Sequence, residues 1–460
     1  MLSKECHCKQ IFHQQQFGFR RGVSAEDAHL YLIYKIQQAK KKGLITTATF
    51  VDIRKAFDSV NRELLIQKMH QLKISTNIID IVNDFCVERT AFVSLNGHTS
   101  LIRKIDYGIP QGSALSPVLF NLYVRSVLDE TKNKHIDIIL YADDITIITS
   151  STKAKINTRR IKSYLKNLVV ILEKMNLGFQ VDKTEMIHIQ SNTKNKSLTN
   201  SMTLNGYTIV PSRKVKYLGL IIDEFLTFKP HIQQTAKNGT RYLAYLKNIL
   251  RKNGMLNANM MLQLYRTMII PRTDLSACVW ANVTKAALKP LMKLQKLTLA
   301  TALGTSRQTV ALSSLEVFCN LLRVYFRLMR RQMIKAITLH SRLLYHPLSA
   351  LFEKPEKGTI FAKLKEIIST VSSDNNPMSE LIKHSEMHVL FEPCATAVDV
   401  IISNDELALN EEQELLEKID NTTMLLIYTD ASKQHDEVAA AVTIMTKAGD
   451  EIRWRIMACI

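Results

Sequence analysis

Apolar positions along this chain fall first into short, mixed periods and later into long helical stripes. Ala28, Leu32, Ile36 and Ala39 recur at helical spacing after Ser24, which forms a capping-box pattern with Asp27, and before Gly43. A helix is predicted there. Residues 47–53 are β-branched and apolar and read as a buried strand ending at Asp52. Asn61 stands where a cap belongs for a helix carrying Leu64, Leu65, Met69 and Leu72. Segments 91–95 and 98–103 flank Asn96-Gly97, the residue pair that favours a two-residue type I′ hairpin. Ser116-Pro117 opens a helix with Leu119, Leu122, Val127 and Leu128 on it. Residues 136–149 form two β-rich runs broken by Ala142-Asp143-Asp144, a hairpin with acids at its tip.

A helix over 154–175 and short strands at 179–181 and 185–189 complete an α+β unit with an antiparallel sheet, spanning 1–223. Long helices follow over 224–345, beginning with a stripe of Ile232, Ala236, Leu243, Leu246 and Leu250. Residues 346–421 read as a linker region with an acidic stretch at 404–421. In 422–460, residues 425–429 read as a strand running into Asp430, with 438–445 as its neighbour.

Charge narrows the partner. Lys plus Arg number 61 against 42 Asp plus Glu, and the net +19 points to a polyanion such as nucleic acid. Arg251-Lys252, the lysines at 293–296 and the basic run 323–335 supply solvated faces on the helices. Lys40, Lys41 and Lys42 suit the end of a helix, where cations meet the dipole. No run of 18 apolar residues and no apolar leader segment occurs, so the chain is expected inside the cell, in nucleus or cytoplasm, and not in a membrane. Seven cysteines without CxxC pairs fit a reducing compartment, and Cys6-His7-Cys8 reads as an unstructured terminus rather than a metal cluster.

Candidate chemistry lies in three carboxylates. Asp52, Asp143 and Asp144 stand at a strand end and a hairpin tip, where a rigid backbone lets them converge on two divalent cations for in-line phosphoryl transfer. An adjacent Asp pair within an apolar hairpin is electrostatically costly without such cations. An ordinary polar turn is the competing reading of that pair taken alone.

The surrounding blocks favour the site. Phe50-Val51-Asp52-Ile53-Arg54-Lys55-Ala56-Phe57-Asp58, then Gly108-Ile109-Pro110-Gln111-Gly112-Ser113 and Ser116-Pro117, then Tyr141-Ala142-Asp143-Asp144, Lys183-Thr184-Glu185 and Tyr217-Leu218-Gly219 occur in that order. This set closely resembles the reverse transcriptases of non-LTR retrotransposons, from Phe17 to Asp223. The resemblance implies a right-hand polymerase with palm and partial fingers, a helical thumb and connection, and RNA-directed DNA synthesis.

It also implies roles for particular residues. Asp52, Asp143 and Asp144 would hold two Mg²⁺, with Mn²⁺ as a substitute, and the Ile53 carbonyl would be a further ligand. Phe57 would exclude a ribose 2′-OH, and Gln111 would pack on the incoming nucleotide and template. Arg20, in Phe17-Gly18-Phe19-Arg20, would meet the triphosphate, and Lys183 would protonate the departing pyrophosphate. Tyr217, Leu218 and Gly219 would grip the primer. The implied partners are an RNA template, a DNA primer, their hybrid and dNTPs; the oligomeric state is not implied.

Asp58 reads as a cap of the turn before Asn61. Ile427-Tyr428-Thr429-Asp430-Ala431-Ser432 resembles the opening strand of a ribonuclease H domain, with Asp430 as its first metal ligand and the stub incomplete. With 16 residues before Phe17, the chain is expected to be a fragment or a decayed copy of a longer element. Two further readings compete: a catalytically inactive remnant that only binds nucleic acid, and the polymerase of a mobile intron or bacterial retroelement.

Overall fold

Leu2 and Cys6 lie four residues apart on one face of helix α1 (Leu2–Cys8), and both turn into the core. The Cys6-His7-Cys8 run is therefore helical, not an unstructured terminus. The protein is described by a computed structural model over residues 2–105, 107–130, 133–190, 197–252, 257–305, 310–341, 346–371, 426–434, 437–445 and 451–458. It divides into two units, Met1–Ile368 and Ser369–Ile460.

Ser24 starts α2 (Ala25–Lys41) as its capping box predicts, donating from its N–H and hydroxyl to Asp27 Oδ2 at 2.8 and 2.9 Å. Strand β1 (Ile45–Arg54) runs two residues past Asp52. Asn61 accepts the Leu64 N–H at 3.0 Å and opens α3 (Arg62–Gln71), which α4 (Thr76–Cys86) follows. Then come β2 (Thr90–Ala91), β3 (Ser94–Leu95), β4 (His98–Thr99) and β5 (Arg103–Lys104). Between β3 and β4, Asn96 and Gly97 have φ of 49° and 82°, as a type I′ turn requires.

Pro117 sits in the first turn of α5 (Ser116–Val124), and α6 (Ser126–Glu130) continues after Arg125. The acid hairpin is β6 (Asp137–Tyr141) and β7 (Asp144–Ser151). Helix α7 (Ala154–Lys174) leads to β8 (Gly178–Phe179), where 179–181 had read as strand; Val181–Lys183 is instead a 3₁₀ turn. Strands β9 (Glu185–Ile189), β10 (Met202–Leu204), β11 (Tyr207–Ile209), β12 (Lys214–Tyr217) and β13 (Leu220–Asp223) follow.

The main sheet has the order β6-β7-β1-β8, with β9 also pairing β1, every pairing antiparallel. Side chains alternate across it. Val51, Ile53, Leu140, Ile145 and Ile147 enter one core with α3, α4, α5 and α7. Ala48, Ile139, Ile148, Ile187 and Ile189 enter another with α2.

Helices follow beyond Asp223. They are α8 (Lys229–Lys252), α9 (Ala258–Leu264), α10 (Ile270–Thr273), α11 (Ala277–Trp280), α12 (Lys289–Ala302), α13 (Leu312–Phe318), α14 (Val324–Ser341), α15 (Ser349–Glu353) and α16 (Ile360–Val371). A π-helical turn, Tyr265–Ile269, joins α9 to α10. Several enter the second core, through Ile232, Trp280, Leu328 and Phe361, while α9 and α13 pack in smaller clusters.

The second unit holds a three-stranded antiparallel meander of β14 (Leu426–Gln434), β15 (Glu437–Met445) and β16 (Glu451–Ala458). Asp430 pairs with Ala441 in mid-strand, so the strand does not end at this acid: pairing with β15 carries it on to Gln434. The acidic stretch 404–421 lies outside the described residues.

Candidate active site

Register brings the two acid motifs together. Strands β1 and β7 pair antiparallel so that Asp52 stands opposite Asp144, and the Ile53 N–H donates to the Asp143 carbonyl at 3.1 Å. Ala142 makes the sharp turn that presents Asp143 and Asp144, with φ of 55°. All three carboxylates are half-buried.

Burial, with Asp143 and then Asp52 nearby, pushes the Asp144 carboxyl up to about 6. Asp52 is raised by burial and by Asp143, against the pull of Lys183. A cluster that resists ionisation in this way is suited to divalent cations, which neutralise it. Among the described residues, no three His, Cys, Asp or Glu side chains already form a metal cluster.

Three further segments close on the acids. The 15–18 segment runs beside β6, with Phe17 N–H donating to Leu140 O at 2.8 Å and Leu140 N–H to Gln15 O at 2.9 Å. Gly18 presses on the acid turn so closely that a Cβ there would lie 2.2 Å from Ala142 N. Phe19 stands half-exposed, edge-on to Phe57 at 6.3 Å, and Phe57 in turn stacks on Phe120 at 5.0 Å.

The Gly108–Ser113 turn is stapled to the end of the first acid motif. Ile109 N–H donates to Phe57 O and Gly108 N–H to Val60 O, each at 2.9 Å. Gly108 has φ of 76°, and a Cβ there would meet the Asp58 backbone at 2.7 Å. Gln111 Nε2 donates to Asp58 Oδ1 at 3.0 Å. Asp58 therefore holds Gln111 and does not cap the turn before Asn61, where Asn61 itself is the cap.

On the remaining side, Gln180 N–H donates to Asp52 O at 3.2 Å, which brings the 3₁₀ turn bearing exposed Lys183 beside the acids. Four of the left-handed non-glycine residues lie in the motifs that form this centre. Phe19, Lys55, Ala142 and Leu218 have φ of 51°, 47°, 55° and 44°, left-handed conformations that cost non-glycine residues energy and gather at functional sites.

Residues 1–222 match the reverse transcriptase (RNA-dependent DNA polymerase) family. The RNA-directed DNA polymerase from mobile element jockey of Drosophila melanogaster is 27% identical over 65% of this chain and 33% of its own length. The probable RNA-directed DNA polymerase from transposon BS of the same fly is 26% identical, over 62% and 32%. Residues 1–222 are a reverse transcriptase domain, similar to those of the fly mobile elements jockey and BS. The chain spans about a third of the length of these fly relatives. Among solved structures, apo telomerase from Candida tropicalis matches 84% of this chain and 59% of its own at 14% identity, with a TM-score of 0.38.

Within the reverse transcriptase domain, two residues sit differently from the sequence expectation. Tyr217 is 3% exposed: its ring packs on Phe50 at 5.0 Å and edge-on to His29 at 5.4 Å, and its hydroxyl ends beside Thr146. Its side chain is thus an internal support, and Leu218 and Gly219 form the half-exposed turn. Arg20 Nη1 donates to the His13 and Gln16 carbonyls, both at 2.9 Å, and the guanidinium lies over Phe12 at 5.4 Å. Burial lowers its pKa to about 10. It braces the segment that covers the acid turn.

Gly18, Phe19 and Asp58 were not singled out as site residues from sequence. Gly18 between two aromatics was the visible signal of close backbone approach; for Asp58 and Phe19 no local pattern reveals the partner. No described helix is long and apolar enough to cross a membrane.

Proposed function

We propose that this chain is the polymerase portion of an RNA-directed DNA polymerase, joining a dNTP to the 3′-OH of a DNA primer on an RNA template and releasing pyrophosphate. The observation that carries the reading is the β1–β7 register, which sets Asp52 against Asp144 with Asp143 bonded through its carbonyl to Ile53.

Asp52, Asp143 and Asp144 would hold two Mg²⁺, or Mn²⁺ in their place, together with the Ile53 carbonyl. Bound there, the ions would supply activation of the primer hydroxyl and neutralisation of phosphoryl charge. Phe57, backed by Phe120, closes the space at the 2′ position of an incoming sugar, and Gln111, held by Asp58, packs on the base pair being formed. Lys183, exposed beside Asp52, is placed to give a proton to the leaving pyrophosphate. Arg20 acts on the triphosphate through the segment it braces.

In this reading residues 1–223 comprise fingers and palm, and 224–345 a thumb and connection along an RNA–DNA hybrid. Lys237, Arg241 and Tyr245 lie exposed at i, i+4 spacing on α8 and give it a basic and aromatic stripe suited to phosphates and sugars. The linker region expected over 346–421 would begin only after α16, because Leu348, Phe352, Phe361 and Leu364 pack into the second core and make 346–368 part of the first unit. The β14–β16 meander, with Asp430 on its first strand, is the part proposed as a ribonuclease H-like remnant.

A purified chain given RNA template, DNA primer, Mg²⁺ and dNTPs is expected to extend the primer. The paired change Asp143→Asn and Asp144→Asn is expected to lower extension by about 100-fold or more. Tight hybrid binding without extension under any divalent ion would favour a nucleic-acid-binding remnant instead.

A further inference from the structure

His29 is fully buried on α2 and plays no part in the chemistry above. Its ring joins two distant segments: Nε2 lies 2.9 Å from the Tyr217 carbonyl, and Nδ1 lies 2.7 Å from Ser276 Oγ. A carbonyl can only accept, so Nε2 carries the proton and Nδ1 accepts from the serine hydroxyl. The imidazole is therefore a neutral bridge of fixed tautomer, and its burial, which lowers its pKa to about 4, keeps it so.

Both ends of the bridge support one turn. Tyr217 begins the Tyr217–Gly219 turn, and its ring is wedged between His29 and Phe50, two residues before Asp52. Ser276 is held in a left-handed conformation with φ of 52°, and the neighbouring Leu275 side chain occupies the space where a Gly219 Cβ would stand, 2.7 Å away. Leu275 is itself fixed by Trp280, whose Nε1 donates to its carbonyl at 2.9 Å. The turn thus has a floor made from α2, from β1 and from the segment leading into α11.

We infer that His29 is a positioning residue that sets the height of the Leu218–Gly219 turn over the three acids, and so the seat of the primer 3′ end. This rests on the reading of that turn as the primer grip. A histidine that only filled the core would affect stability alone, whereas a positioning residue acts on the primer end and on the turn's own backbone.

The full chain tests this in two ways. His29→Phe keeps an aromatic ring at the position, slightly larger than the imidazole, but offers neither hydrogen bond. It is expected to speed amide exchange at residues 218–220 while leaving β1 and β7 unchanged. It is also expected to lower extension efficiency with respect to primer–template by about tenfold, with KM for dNTP unaltered. His29→Gln, which can place an amide N–H where Nε2 lies, is expected to recover most of both. Unchanged exchange at the turn, or His29→Gln no better than His29→Phe, overturns the inference. If His29→Phe does not fold, Ser276→Ala takes its place with the same expected localised exchange. If the unaltered chain extends no primer, the polymerase reading fails, while the exchange comparison still decides whether His29 holds the turn.

Discussion

At the scale of single residues, the acids set a conflict between stability and chemistry. Asp144 titrates at about 6 in the folded chain, above the ordinary carboxylate value, because of burial and its two acidic neighbours. Between the unfolded and folded values the folded chain holds the extra proton, so stability falls as pH rises through that window and the deficit is complete above it. Asp144→Asn is therefore expected to raise the melting temperature at pH 7 without divalent ions, by about 2–5 °C, while extension is lost. A lower melting temperature in calorimetry would contradict the repulsion. Protons and cations compete for the same oxygens, so extension should fall as pH drops through about 6 and recover part of that loss when Mg²⁺ is raised. The buried imidazoles of His29 and His231 work in the opposite sense. Burial lowers each to about 4, so their contribution is whole above the unfolded value and shrinks as pH falls toward 4.

At the scale of elements, the site is a set of turns pinned to one another by backbone contacts. Gly108 lets the Gln111 turn lie on Asp58; Gly108→Ala would add a Cβ within 2.7–2.9 Å of that backbone at a φ of 76°. It is expected to cost about 1–3 kcal/mol and to lower extension by about 10–100-fold, with hybrid affinity unchanged. Paired melting and filter-binding measurements check both halves. Helix α14 was expected to turn its basic residues to solvent, but Arg327 and Lys335 face inward. Arg327 makes a bidentate pair with fully buried Asp274, at 2.7 and 3.1 Å, and Lys335 reaches buried Asp27 at 2.7 Å. The reason is packing: the α14 face that meets α11 and α2 carries them, so Arg323, Arg330 and Arg331 are left exposed. Arg327→Met would leave Asp274 buried and unpaired, a loss of about 3–5 kcal/mol, whereas adding Asp274→Leu should restore much of it. A double variant no more stable than the single one in urea melts would show that the pair is not the determinant.

At the scale of the whole molecule, a net +19 predicts salt-sensitive binding to an RNA–DNA hybrid. Lys237→Gln and Arg241→Gln should each reduce the slope of log affinity against log salt by about 1 and spare the extension rate at saturating hybrid. An unchanged slope would remove α8 from the binding face. What the sequence determined is whatever physical rules act over a few residues. The Ser24–Asp27 cap, the Asn96-Gly97 turn, the β-branched apolar run of β1 and the acids at the β6–β7 tip all follow from local geometry, so they were legible. Tertiary structure alone decided which charges and rings lie inside. Tyr217, His29, Arg327 and Lys335 are buried because distant segments cover them, and Gln111 meets Asp58 because two turns are stapled across 53 residues of chain. Apolar periodicity records which apolar positions turn inward, but the burial of a polar or charged side chain is set by partners far away in sequence and leaves no mark in its own neighbourhood.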